Sequence, residues 1–363
     1  MNGRITFTPV SKKKSPEITT QQSENSVEVV EPSNIQQKSL LKVESANATM
    51  LAASSKPTPK KLCGSLWHEG ELCILVADTN VGKSIFAVQA GNNISSGKKQ
   101  AFLNCEAEKQ PVIYFDFELS DKQFQRRYSC PSFCGTQTIS YQFSDDFQRS
   151  SIDPDFAEVS DFDTVLMLDI EQAVKTTGAK VLIIDNLTFL KTQAVDTAKE
   201  ALPLMQKLKS LKSRLGLSIL VLAHTPKRSY MNPISKNDIA GSKHLANFAD
   251  SIFAIGESSQ DKSIRYIKQL KSRETEIEYD SENVIECIIK KDHNYLHFEL
   301  LRFGRERDHL RQTEPEELES QIISLHETNP ELSLRELAEL AGTNHMKVKR
   351  ALDRLQANKE NLL

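Results

Sequence analysis

Neither sign of charge dominates this 363-residue chain: 46 Lys and Arg stand against 49 Asp and Glu, a formal net charge of −3. That balance, with a pI of about 6.3, excludes a global basic field, so any contact with nucleic acid has to come from local patches. No apolar run reaches the roughly 18 residues that a membrane-spanning helix needs. The N-terminus lacks the apolar core of a secretory signal. These absences point to a soluble, cytoplasmic protein with no membrane partner. The six cysteines are scattered at positions 63, 73, 105, 130, 134 and 287, and only Cys130 and Cys134 are close. Without a second pair or metal-spaced histidines, reduced thiols are expected rather than a zinc site. Cys73 reads as a small buried apolar residue. Aromatics are nearly missing from residues 1–60, where Phe7 stands alone among Ser, Thr, Gln, Glu and Lys. Such a stretch buries too little apolar surface to offset its chain entropy and reads as a disordered arm.

From Leu62 the pattern changes to apolar runs alternating with helical stretches. Strands are expected at 71–77, 111–117, 180–185, 218–223 and 251–255. Between two of them, Leu204, Leu208, Leu211 and Leu215 keep one helix face apolar. Pro203 is expected in that helix's first turn and Gly216 at its end. Apolar strands separated by helices imply a mostly parallel sheet with helices on both faces, an α/β fold. Segments 263–271, 283–289 and 295–301 read as antiparallel additions, the last two as a hairpin across residues 290–294.

The most informative stretch follows the first strand. Ala77, Asp78, Thr79, Asn80, Val81, Gly82, Lys83, Ser84 and Ile85 form a strand–loop–helix junction of the phosphate-binding kind. Backbone N–H groups of such a loop and of the helix N-terminus point at the β-phosphate of a nucleotide. Lys83 reaches the β/γ oxygens and the Ser84 hydroxyl takes a Mg²⁺ position. Ala77 replaces the usual first glycine. The strand at 180–185 ends in Asp185, where such a fold needs its Mg²⁺-supporting acid. The strand at 111–117 leads into Glu118, placed to polarise the water that attacks the γ-phosphate. A surface glutamate opening the next helix is the competing reading. The strand at 218–223 ends in His224, which would stand beside the γ-phosphate or be a satisfied core histidine.

Together these residues resemble the RecA-like P-loop ATPases, especially the hexameric helicase branch containing DnaB and the plasmid RepA helicases. The matching segments are the loop through Ser84, Phe115 to Ser120, Ile183 to Asp185, and Leu222 to Thr225, within a resemblance covering about residues 62–304. It implies Glu118 as catalytic base, ATP and Mg²⁺ as ligands, and a homo-oligomeric ring, a hexamer in that branch. Asn186 rather than an acid follows Asp185, which separates this branch from the AAA+ ATPases. Lys271 and Arg273 resemble the Lys-x-Arg element that such helicases insert into a neighbour's nucleotide, with exposed basic residues at a strand end as the alternative. Loops at about 188–199 and 225–243 correspond to those facing the channel of RecA-like rings. The second carries Lys227, Arg228, Lys236 and Lys243 with Tyr230, able to track the backbone of single-stranded DNA or remain a solvated loop.

Residues 305–316 are strongly charged and read as a linker. Residues 317–363 form a helical tail: a helix at 317–327, a capping box at Ser333 and Glu336, and a turn at 342–344. A third helix at 345–355 follows, with Val348, Leu352 and Leu355 inward. Lys347, Lys349, Arg350 and Arg354 face outward, as in a helix-turn-helix of winged-helix type that binds duplex DNA. A protein-docking module is the alternative. The combined expectation is an ATP-hydrolysing DNA-handling protein, a helicase or translocase of a plasmid, phage or mobile element. An ATP-gated DNA-binding regulator stands second.

Overall fold

The computed structural model describes residues 41–99, 103–133, 137–153, 161–186, 198–226, 228–239, 243–311 and 315–360. The chain divides into a first unit, Met1–Pro57, and a second, Thr58–Leu363. In the first unit, α1 (Ala46–Ser54) is exposed along its length and the Ser45 hydroxyl accepts from the Ala48 N–H. Within the stretch expected as an arm, this alanine-rich segment behind a serine cap has the local propensity for a helix and buries none of its residues. Residues 1–40 of that arm lie outside the described residues.

The second unit opens with a short antiparallel pair, β1 (Lys61–Cys63) and β2 (Trp67–His68). The strand β3 (Leu72–Ala77) leads into α2 (Lys83–Ser96), then β4 (Val112–Asp116) and α3 (Asp121–Arg127). A second small pair, β5 (Ser129–Pro131) and β6 (Thr138–Ser140), precedes β7 (Phe147–Ser150) and α4 (Phe162–Thr177). There follow β8 (Val181–Asp185), α5 (Ala198–Leu215), β9 (Ser218–His224), α6 (Lys243–Phe248) and β10 (Ser251–Glu257). The strands β11 (Ile264–Lys271), β12 (Val284–Asp292) and β13 (Tyr295–Gly304) complete the sheet.

Nine strands form one sheet in the order β13-β12-β11-β10-β3-β9-β8-β4-β7. From β10 to β7 neighbours run parallel, and from β10 to β13 they are antiparallel. Alternation along β3 shows why both faces are covered. Cys73, Leu75 and Ala77 pack with Phe86, Ala87 and Ile94 of α2, while Leu72, Ile74 and Val76 pack with Ile170 of α4 and Leu208 and Leu211 of α5. The expected α/β architecture and its eight strands are thus present. The edge strand β7, with the sequence Phe-Gln-Arg-Ser, carries too little apolar alternation to be legible and forms because β4 offers it a pairing edge.

Two local expectations are corrected. Pro203 lies inside α5 rather than in its first turn, because the helix begins at Ala198. Residues 305–311 are not a free linker. A 3₁₀ turn at Glu306–His309 is anchored by the buried Glu306 carboxylate, which pairs with Lys268 and accepts the Ile234 N–H at 2.7 Å. His309 is buried against Tyr266, ring centroids 5.0 Å apart.

The tail comprises α7 (Pro315–Thr328), α8 (Leu334–Leu340) and α9 (His345–Glu360) around Ile322, Leu337, Ala341 and Val348. Ser333 and Glu336 form the expected capping box. Gly342, at φ 64°, turns the chain between α8 and α9, and a Cβ there would lie 3.2 Å from the Met231 Cβ. The turn of the tail therefore sits on the loop that follows β9. Among the described residues, no helix is long and apolar enough to cross a membrane.

Candidate nucleotide site

The strands β3, β4, β8 and β9 end at one edge of the sheet, and the connections leaving the neighbours β3 and β9 run in opposite directions, to β4 and to β10, which opens a crevice there. Into it the sequence sends Lys83, Glu118, Asp185 and His224. The loop of residues 78–82 turns through Asn80 at φ 65° and Gly82 at φ 113°. A Cβ on Gly82 would come within 2.7 Å of Ile289 Cδ1 and 2.9 Å of Phe298 Cζ, so both backbone angle and space require glycine. Ala77 ends β3 in ordinary strand geometry, which is why an alanine fits where the motif has its first glycine.

The Lys83 ammonium donates to the carbonyls of Ala77 and Asp78, each at 2.9 Å, and lies 3.0 Å from His224 Nδ1. Burial lowers its pKa, opposed by the charges of Asp185, Glu118 and Asp78. Asp185 is buried and accepts from the Tyr114 hydroxyl at 2.6 Å. Burial pushes its carboxyl up to about 6, against hydrogen bonds from Ser84 and Tyr114. Among the described residues its buried Oδ1 meets no hydrogen-bond partner. A free buried carboxylate oxygen with the Ser84 hydroxyl nearby is a hard-oxygen donor set that fits Mg²⁺ and its waters. When bound, the cation would neutralise charge on the phosphate oxygens.

Glu118, two residues past β4, accepts from Asn186 Nδ2, and His224 Nε2 lies 3.4 Å from its Oε1. The hydrogen bond with His224 is the largest influence holding its carboxyl below the usual glutamate value. The His224 ring, satisfied on both nitrogens, bridges Lys83 and Glu118.

Several other expectations resolve differently. Arg228 is a correction: its side chain is 6% exposed and pairs with Asp78 of the phosphate loop at 3.5 Å, over the Tyr230 ring. A guanidinium buried against its own loop is not on offer to DNA. Lys236 is exposed, whereas Lys227 and the side chain of Lys243 lie outside the described residues, as do residues 187–197 of the other expected channel loop. Lys347, Lys349, Arg350 and Arg354 are exposed on α9, Arg354 pairing with Glu319 of α7 at 2.9 Å. The register pairs Lys271 with Ile252 at the start of β10, so Lys271 and Arg273 sit at the sheet edge away from this chain's own phosphate loop. Lys271 donates to the carbonyls of Ala246 and Ala249, and Arg273 binds Asp250 while remaining about half exposed.

The structure gives supporting roles to residues that the sequence had not placed in the site. Tyr114 steadies Asp185, Asn186 steadies Glu118, and Arg265 donates to the Val81 carbonyl at 3.1 Å, bracing the phosphate loop from β11. Asn186 carried a signal in its place after Asp185; Arg265 lies far from any motif.

The model of the AAA_25 family, described as an AAA domain, matches residues 37–230, which include Lys83, Glu118, Asp185 and His224. No curated protein matches the chain significantly. Among solved structures, a KaiC-like protein, PH0186, from the hyperthermophilic archaeon Pyrococcus horikoshii OT3 is similar at 14% identity and a TM-score of 0.43, over 64% of this chain and 91% of that one. The family match spans just over half of the chain and contains the whole constellation at the sheet edge, so the chain belongs to the AAA_25 family of P-loop ATPases.

Proposed function

We propose that this protein hydrolyses Mg·ATP to do work on DNA, as a helicase or translocase of RecA and RepA type from a plasmid, phage or mobile element. The observation that carries the ATPase part is the meeting of Lys83, His224, Glu118 and Asp185 around one glycine-bearing loop. Lys83 binds the β/γ oxygens in place of the loop carbonyls it now meets. Asp185 and Ser84 would hold the metal, and Glu118 orients and deprotonates the attacking water. The peripheral position of Arg273 supports a ring, since a group at the far sheet edge serves phosphate chemistry only in a neighbour's site. Exposed Lys236 supports a strand-tracking role for the loop after β9. The test is the ATPase rate with and without single-stranded DNA for wild type, Lys83→Ala and Glu118→Gln. DNA-stimulated turnover that both variants abolish is the expected result. Normal hydrolysis by Lys83→Ala refutes the site, and indifference of the wild type to every nucleic acid refutes the motor.

A second reading is favoured by one contact path: an ATP-gated DNA-binding regulator. The loop after β9 binds the phosphate loop at one end, through Thr225 and Arg228 to Asp78, and carries the tail's turn at Met231 and Asn232 at the other. On this reading nucleotide changes duplex DNA affinity at α9. Binding of duplex DNA measured with and without ATP separates the two, because a motor without a gate shows no such change.

A further inference from the structure

The stretch that bears Glu118 is not a free loop. Asp116, the last residue of β4, is 1% exposed, and its Oδ1 accepts the backbone N–H groups of Glu118 at 3.2 Å and Leu119 at 2.9 Å. Its Oδ2 accepts from Arg149 Nε at 2.9 Å. Arg149 stands on the edge strand β7, paired in register with Tyr114, and closes the loop from the outside. Its second nitrogen donates to the Leu119 carbonyl at 2.5 Å and its third to Asp121 at 2.6 Å. The guanidinium also lies 4.9 Å over the Phe124 ring of α3. One planar cation thus ties the end of β4, the loop and the start of α3 together.

The geometry points to Arg149 as a positioning residue for the hydrolytic step, acting through Asp116 to set where the Glu118 carboxylate stands; this rests on the reading of Glu118 as the water-activating group. The physical reason lies in the fork shape of the side chain. A guanidinium offers donors in fixed directions, so three acceptors from two elements and a loop are held in one relative geometry. Asp116 completes the lock by using both oxygens, two amides on one and a charge on the other. Asn186 and His224 meet the Glu118 carboxylate itself, but the backbone that carries it two residues after a strand end is held by Asp116 and Arg149, and misplacement by about 1 Å can cost roughly 10²-fold in rate. Nothing in this arrangement reaches the phosphate loop, so ATP binding through Lys83 is left intact.

The experiment compares Arg149→Met, Arg149→Lys, Glu118→Gln and the Arg149→Met/Glu118→Gln pair, reading kcat and the Kd for a fluorescent ATP analogue, with a thermal melt on each. The expected result for Arg149→Met is a kcat lower by about 10- to 100-fold with Kd within about twofold of wild type. The double variant falls no further than Glu118→Gln alone, because both changes disable the same group. Arg149→Lys, which keeps the charge near Asp116 but not the fork, falls between. If Glu118→Gln is inactive while Arg149→Met turns over at the wild-type rate, the brace is refuted and the Glu118 reading stands. If Glu118→Gln turns over normally, the Glu118 reading itself has failed and the brace falls with it. If Arg149→Met or Arg149→Lys weakens ATP binding and melting together with kcat, the residue is merely structural and the proposal is overturned.

Discussion

Lys83 Nζ lies 3.0 Å from one nitrogen of His224, and the ring's other nitrogen lies 3.4 Å from Glu118 Oε1. An ammonium only donates and a carboxylate only accepts, so the imidazole stands between a donor on its Nδ1 side and an acceptor on its Nε2 side, where Asn186 Nδ2 also lies 3.2 Å from Nε2. Phosphate binding that draws Lys83 away from Nδ1 is therefore felt at Glu118 through one imidazole.

Glu118→Gln is expected to keep ATP binding and lose hydrolysis by about 10²- to 10⁴-fold, the usual weight of a positioned general base. Equilibrium binding of a fluorescent analogue beside a phosphate-release assay checks both halves at once.

Replacing His224 by Ala removes the largest influence that holds the Glu118 carboxyl low. The acid limb of the pH–kcat profile should then move to higher pH, since more alkaline conditions are needed to keep that carboxylate ionised. A profile whose acid limb stays in place would show that the histidine does not bear on Glu118.

Asp185 gives a second pH dependence of defined sign. Its folded pKa of about 6 stands above the ordinary 3.8, so below the lower value the carboxyl is protonated in folded and unfolded chains alike. Between 3.8 and about 6 the unfolded chain ionises this group while the folded chain still holds its proton, so roughly 3 kcal/mol of stability is lost across that window and the loss is complete once pH passes the folded value. Metal selects the ionised form. Affinity for Mg·ATP is therefore expected to weaken as pH falls through about 6. Thermal melts of wild type and Asp185→Asn across this range should diverge, with the variant flat.

Gly82→Ala should destabilise the chain by about 1–3 kcal/mol, the cost of a strained backbone position, and abolish nucleotide binding. The added methyl meets the buried Phe298 ring and the tip of the half-buried Ile289 side chain. Urea midpoints and analogue binding report the two effects separately.

In the tail, Lys347→Ala and Arg350→Ala leave the buried stripe of α9 untouched because both residues are exposed. Each is expected to lower the slope of log affinity against log salt for duplex DNA by about 1. No change in that slope would favour a protein-docking tail.

Much of the sheet was legible because buried parallel strands are short apolar runs, and β3, β4, β8, β9 and β10 each announce themselves that way. The residues at that sheet edge were legible for a related reason: a charged or imidazole residue directly after such a run marks the strand's carboxyl end. Arg149, Arg265 and β7 were not legible, since their meaning lies in a neighbour supplied by the fold. Arg228 misled, because a basic residue in a polar loop looks the same in sequence whether it faces water or an aspartate.

By itself, then, the sequence determined the layered α/β fold, the phosphate loop and the identity of the groups at its edge, because local hydrophobic periodicity and backbone propensity act over a few residues. Only the tertiary structure decided which charges are already paired, how Glu118 is held, and where the tail's turn rests. Those outcomes depend on contacts between residues far apart in the chain, such as Asp116 with Arg149 and Asp78 with Arg228, and no local pattern encodes which partner a buried charge will find.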